Sequence, residues 1–310
     1  FMFEIETEYK DKVFESGELL NEYESACDWV SSLGIDYRPT RFKSYLDDTK
    51  LLFHENAKGV DEYSTDEEFK EVARRYLNAN REIHELLRIA NALKRVEDND
   101  SFLDQLRKTA TGNAGRLINH KDQSRNFSFE LDVASRFIFA GFEVDLTGVA
   151  DLRVLINGKN LYVECKRVTS MKQLGKRIKS ANQQLLRRLQ RDVSKQSRGL
   201  VAVEVSHLVD FDESIWGYKT SEHLWNASAE IINSFVRNNE DEFHKGSTKR
   251  LLGVLAQITF PSFISNENDL KVASARSSSL LMYKNSLSDS EFLDEFWEKL
   301  GNQVDYLKLY

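Results

Sequence analysis

The chain has 310 residues, 41% of them hydrophobic, which is enough for one large domain or two moderate ones. A net charge of −7 excludes a simple basic nucleic-acid coat. No run of about eighteen apolar residues offers a membrane span. Two cysteines, Cys27 and Cys165, cannot build a disulfide framework, so a reducing cytosol is the expected compartment. The six histidines lack ligand spacing, and there is no C-x-x-C or H-x-H, so no zinc site is expected. The opening "FMFEIETEYKDK" is acidic rather than basic then apolar, which predicts no signal peptide.

Residues 1 to about 115 read as mainly helical. "LGIDYRPTRF" (Leu33–Phe42) contains Pro39 and reads as a strand or connector. "STDEEFKEVARRYLNANREIHELLRIANALKRVED" (Ser64–Asp98) is rich in helix formers, and Ser64 with Glu67 forms a capping signal. "TATGNAGRL" (Thr109–Leu117) lacks the Gly-Lys-Ser/Thr end of a phosphate-binding loop. The polar, glycine-containing stretch Lys108–Asn126 is the expected linker. The expected units are therefore 1–115, a helical domain for specificity or partner docking, and 116–310.

"SRNFSFELDVASRFIFAGFEVDL" (Ser124–Leu146) predicts a helix ended by Gly141, then a strand over Phe142–Leu146. Phe127, Glu130, Ala134 and Phe137 share one stripe of that helix. A carboxylate on an apolar stripe needs a partner or a route to solvent.

"DLRVLINGKNLYVECKRV" (Asp151–Val168) predicts a β-hairpin, because Asn157-Gly158 suits the two positive-φ positions of a type I′ turn. Paired residue numbers then sum to 315, so Asp151 stands opposite Glu164. At ~5 Å and an effective dielectric near ~20 the two carboxylates repel by roughly 3 kcal/mol. That calls for a compensating cation. Strand alternation puts Lys166 on the face of Glu164, and Leu161, Val163 and Cys165 on the core side. Two close carboxylates make a hard-oxygen site suited to Mg²⁺ or Mn²⁺. Taken alone, a Glu-x-Lys in a strand is more often an exposed ion pair worth little.

"MKQLGKRIKSANQQLLRRLQRDVSKQ" (Met171–Gln196) predicts a long helix, and "GLVAVEVSHLV" (Gly199–Val209) a central strand. From Lys166 to Arg198 the chain holds eleven lysines and arginines and one acid, Asp192, whereas residues 1–70 hold eighteen acids and eight bases. Such a basic stripe can neutralise phosphates, with Lys172, Lys176, Arg177, Lys179, Arg187 and Arg188 as the expected contacts. A charge-rich helix face is otherwise simply solvated.

Farther on, Thr220–Asn239 predicts a capped helix, Lys249–Phe260 a strand closed by Pro261, Ser277–Asn285 an edge strand and Ser288–Gly301 an amphipathic helix. Strands interleaved with helices predict an α/β fold. Trp216, Trp225 and Trp297 are expected in the core or an interface.

A helix with Glu130, a strand, Asp151, then Glu164-Cys165-Lys166 resembles the PD-(D/E)xK nuclease superfamily, over roughly Asn126 to Val205. The motif's proline is absent; Ala150 precedes Asp151. The resemblance implies a restriction-endonuclease-like core, a central mixed sheet flanked by helices. It implies a divalent cation held by Asp151, Glu164 and the Cys165 backbone carbonyl, with Glu130 completing the site. Lys166 would act on the attacking water, and a helix glutamine would face the site. Gln183 or Gln184 fits that place, and Gln183 is taken as the site residue. The implied activity is hydrolysis of phosphodiesters, DNA before RNA and endonucleolytic. By analogy a role in host defence follows, with an ATPase or helicase partner and pairing of two copies. The alternatives are an inactive nucleic-acid-binding module or partner-dependent subunit of the same fold, and a scaffold whose hairpin charges are salt bridges.

Overall fold

A computed structural model of the chain describes residues 2–3, 16–55, 65–96, 100–112, 122–146, 150–209, 217–266, 269–284, 286–301 and 303. The elements are β1 (Met2–Phe3), α1 (Ser16–Ser32), α2 (Arg41–Glu55), α3 (Asp66–Leu93), α4 (Asp100–Ala110) and α5 (Ser124–Phe139). They continue with β2 (Glu143–Asp145), β3 (Leu152–Ile156), β4 (Lys159–Arg167), α6 (Leu174–Arg191), β5 (Arg198–Glu204) and β6 (Gly217–Tyr218). The last are α7 (Ser221–Asn238), α8 (Glu240–Phe243), β7 (Leu251–Asn266), β8 (Asp269–Met282) and α9 (Leu287–Asp294). The strands form one mixed sheet in the order β1-β8-β7-β5-β4-β3-β2, with β6 against the outer part of β7. β4, β5 and β7 run parallel, and the β2-β3-β4 and β7-β8 pairs are antiparallel.

Side-chain alternation along the strands makes two cores. Leu161, Val163, Cys165, Leu200 and Ala202 pack with α1 to α5 on one face. Val201, Val203, Val254 and Ala256 pack with α6, α7 and Phe243 of α8 on the other. This is an α/β architecture with a mixed sheet between helical layers. Among the described residues no helix is long and apolar enough to cross a membrane.

The expected boundary near residue 115 lies outside the described residues. The first core crosses it without a break, from Leu19 to Leu300. Buried ion pairs tie the two sides as well. Glu82 of α3 accepts from Arg41 at 3.0 Å and pairs with Arg125 of α5. Arg88 of α3 reaches Asp132 of α5 at 2.7 Å. Asp132 also accepts from Gln257 of β7 at 2.8 Å and from Arg276 of β8 at 3.1 Å.

Several elements differ from expectation for local reasons. The α3 cap is Thr65, accepting from Glu68 N–H at 3.1 Å, one residue beyond the Ser64–Glu67 pair; Ser64 itself is outside the described residues. The helix expected over Met171–Gln196 is a 3₁₀ turn at Met171–Gln173 followed by α6, which stops at Arg191. There Asp192 captures Ser194 N–H, Tyr162 Oη and Ser197 Oγ, competing with continued helix. β5 ends at Glu204, five residues early, because the chain turns and Ser206 Oγ accepts from Thr259 N–H at 3.0 Å.

β7 does not close at Pro261 but runs on to Asn266. Pairing with β5 stops at Gln257 and pairing with β6 begins at Phe263, so the missing N–H of Pro261 falls in a gap along that edge. β8 is correspondingly longer than the strand expected from Ser277, starting at Asp269. The last helix breaks after Asp294, and a 3₁₀ turn at Glu298–Leu300 leads to Gly301. At the break Glu295 accepts from Asn157 and Lys159 at the hairpin turn. Trp297 packs against the first core, Trp225 is half-buried, and Trp216 lies outside the described residues.

Gly253 of β7 sits where a Cβ would run into the Leu281 carbonyl of β8. That neighbour is ladder backbone and cannot swing aside. Gly253→Ala is expected to cost about 3 kcal/mol, the upper end for overpacking. A lowered urea midpoint with unchanged slope will show it; an unchanged midpoint contradicts the close approach.

Candidate active site

The hairpin forms as its sequence demands. Asn157 and Gly158 have φ of 45° and 77°, as a type I′ turn requires. Ile156 pairs with Lys159 and Leu152 with Val163, so the expected register holds along the ladder. Asp151 lies just beyond it, in a bend, and its Oδ2 accepts from Cys165 N–H at 2.7 Å. This hydrogen bond takes the place of the next rung and fixes the carboxylate beside Glu164.

Lys166 answers the repulsion. Its Nζ lies 2.7 Å from Glu164 Oε1 and 3.7 Å from Asp151 Oδ2. A second cation comes from another element: Arg188 of α6 donates Nη1–H to Glu164 Oε2. The Glu164 side chain is 1% exposed, while those of Lys166 and Arg188 are 18% and 14% exposed. A buried carboxylate thus carries one cation on each oxygen, and both cations are partly open to solvent.

Glu130 approaches from the opposite face of the sheet, on α5. Burial, then the nearby Asp151 charge, pushes its carboxyl up to about 8, against an opposing pull from Lys166. In the metal-free chain, burial and the Asp151 charge therefore favour the protonated form of Glu130. Its raised value means that the folded chain loses stability as pH rises from the ordinary 4.5 towards about 8. Glu130→Gln removes that loss. Without added metal, its melting temperature relative to the parent should be higher at pH 8.5 than at pH 5. An equal difference at both pH values contradicts this.

The Cys165 thiol points into the first core, and burial, then Asp151 and Glu130, push it well above the ordinary thiol range. It is no nucleophile. Its backbone matters instead. The N–H and C=O of one strand residue face the same edge, so the Cys165 carbonyl shares the edge on which Asp151 sits.

Helical phase sorts the α6 residues. The buried stripe is Leu174, Ile178, Ala181, Leu185 and Leu189. Arg177 and Gln184 share the flank of Arg188, eleven and four residues before it and within about 40° of it round the helix. Gln183 lies about 140° round the helix from Arg188. It is exposed and sits on the side of Lys179, which packs against Gly246, and of Asn182, which donates to the Lys245 carbonyl. Gln184, not Gln183, is thus the glutamine on the site flank, and its Oε1 is buried without a hydrogen-bond partner. Lys172, Lys176, Arg177, Lys179 and Arg187 are exposed, whereas Arg167 and Arg198 are held by Glu204 and Asp289. Asp192, the one acid of the stretch, is turned inward onto Tyr162, Asn160 and Ser197.

Among the described residues no three His, Cys, Asp or Glu side chains gather into a metal cage. The donors here are the Asp151 and Glu164 carboxylates, a backbone carbonyl and the orphaned Gln184 Oε1. This all-oxygen set fits Mg²⁺, which takes one or two carboxylates and keeps waters for the rest. The Arg188–Glu164 contact was not visible in the sequence, where Arg188 reads only as one of several basic helix residues.

No protein-family model, curated protein or solved structure matches the chain.

Proposed function

We propose that the chain is a metal-dependent nuclease that hydrolyses internal phosphodiesters of DNA. The observation that carries this reading is the meeting of Asp151, Glu164 and Lys166 at one hairpin end, beside the basic helix α6. The mixed sheet with helices on both faces is compatible with the restriction-endonuclease-like core that the sequence resembles.

The chemistry follows from the side chains. Asp151, Glu164 and the Cys165 carbonyl would hold the cation, with Glu130 and Gln184 positioned to take hydrogen bonds from its waters. When bound, Mg²⁺ would lower the pKa of the attacking water and offset charge growing on the phosphoryl oxygens. Lys166 Nζ, held by Glu164, orients that water and faces the same developing charge. The water oxygen forms a bond to phosphorus and the P–O ester bond breaks. Arg177 and the exposed cations of α6 hold the flanking phosphates. Action on foreign DNA in host defence, an ATPase or helicase partner and pairing of two copies to cut both strands belong to the same reading.

One observation favours a second reading, a nucleic-acid-binding module without chemistry: both Glu164 oxygens are already paired. Circular DNA, end-labelled DNA and RNA, each incubated with EDTA, Mg²⁺ or Mn²⁺, separate the two. Metal-dependent nicking of the circle that is lost in Asp151→Asn supports the nuclease. DNA binding with no cleavage under any condition rejects it in favour of the module.

A further inference from the structure

We propose that Arg188 is a displaceable counter-ion of Glu164, which DNA phosphate must draw away before the carboxylate can take a divalent cation. This rests on the nuclease reading and deepens it: metal loading at this site is coupled to DNA. The geometry points to Arg188 rather than Lys166 as the moving group. Lys166 is two residues from Glu164 on the same strand face and lies close to both carboxylates, so it stays near the site in any state. Arg188 reaches across from α6, and among the described residues its side chain hydrogen-bonds to Glu164 alone. It is the inward end of a basic flank whose other member, Arg177, is exposed.

Charge makes the two occupants of Glu164 exclusive. A divalent cation on this carboxylate would face Lys166 and Arg188 at once, in a pocket where Glu164 is 1% exposed and screening is weak. DNA phosphate offers Arg188 a bidentate partner that it prefers to a single carboxylate oxygen. Once Arg188 has turned to phosphate, Glu164 keeps Lys166 on Oε1 and frees Oε2. The buried, unpartnered Gln184 Oε1 lies one turn away on the same flank, ready to accept from the displaced guanidinium or from a water of the cation. Binding of metal and DNA would then be mutually reinforcing by the same factor, as linkage requires.

The test uses the full chain, Mn²⁺ and a short phosphorothioate DNA duplex that resists cleavage. Mn²⁺ affinity is read by electron paramagnetic resonance of the free ion, with and without duplex. DNA affinity is read by fluorescence anisotropy, with and without Mn²⁺. In the parent chain each ligand should tighten the other roughly tenfold or more. Arg188→Gln should bind Mn²⁺ roughly tenfold tighter without DNA and lose most of the coupling. Arg188→Lys, which keeps the charge but not the fork, should retain weak Mn²⁺ binding in the absence of DNA. The parent measurements stand even if a variant misfolds by circular dichroism. Independent binding of Mn²⁺ and DNA in the parent overturns the proposal, as does an Arg188→Gln chain that is folded and binds Mn²⁺ no tighter. Those outcomes leave the nuclease reading intact as long as Asp151→Asn still abolishes Mn²⁺ binding. No Mn²⁺ binding by any chain, with or without DNA, overturns both.

Discussion

Lys166→Ala should lower the rate of DNA cleavage by about 10²–10³-fold, the loss typical when one preorganised donor to a developing anion is removed. Metal binding in the presence of DNA should survive, because Asp151, Glu164 and the Cys165 carbonyl remain to hold the cation once Arg188 has turned to phosphate. The expected result is a fall in kcat with little change in Mn²⁺ affinity. Lys166→Arg should not restore the rate, since a planar guanidinium cannot lie as a compact charge between Asp151 and Glu164, 3.7 and 2.7 Å from Nζ in the parent. Single-turnover cleavage at saturating Mg²⁺, beside Mn²⁺ titration, checks both statements. Parent-like cleavage by Lys166→Ala would remove the residue from the mechanism.

The second large effect is on stability. Asp132→Ala should cost about 3–5 kcal/mol, because it leaves buried Arg88 and partly buried Arg276 without their shared carboxylate. Burial alone would raise the Asp132 carboxyl. Arg88 and Arg276, with hydrogen bonds from Arg88 and Gln257, outweigh it and hold the group well below the usual carboxylate range. A depressed carboxyl contributes stability that is complete above its unfolded value, near pH ~4, and is lost as pH falls towards the folded one. The parent should therefore weaken progressively below about pH 4, and Asp132→Ala should show a shallower acid dependence. Urea unfolding from pH 7 to pH 3 measures both. A parallel pair of curves would mean that Asp132 is not held down. Because Asp132 joins α3 and α5 to β7 and β8, its loss should also loosen the support of Glu130, two residues away on α5.

Local sequence was sufficient wherever a local rule acted alone. Asn157-Gly158 set the hairpin register, and from it came the approach of Asp151 to Glu164 and the placing of Lys166 beside them. Thr220 capped α7 through His223 N–H, and Gly141, at φ 84°, followed the end of α5. Where the expectation failed, a distant partner had intervened. Pro261 was read as a stop because proline lacks a ladder donor, yet it falls between the two neighbours of β7. The final helix opened where Glu295 meets the hairpin turn, 138 residues away in sequence from Asn157.

The same division holds at the candidate site. The residues of one hairpin were legible because side-chain alternation has period two and the turn leaves one register. Gln183 and Gln184 differ only by helix phase against the sheet, and α6 has an apolar stripe wide enough to leave that phase open by a residue. The contact of Arg188 with Glu164 joins a helix to a strand, and nothing in either segment names the other. Sequence by itself determined which carboxylates and which lysine share a surface. The tertiary structure decided that α6 turns Arg188 and Gln184 towards them, and that α5 brings Glu130 in from the far face. Packing of helices on a sheet is fixed by the whole buried surface rather than by any neighbouring residue.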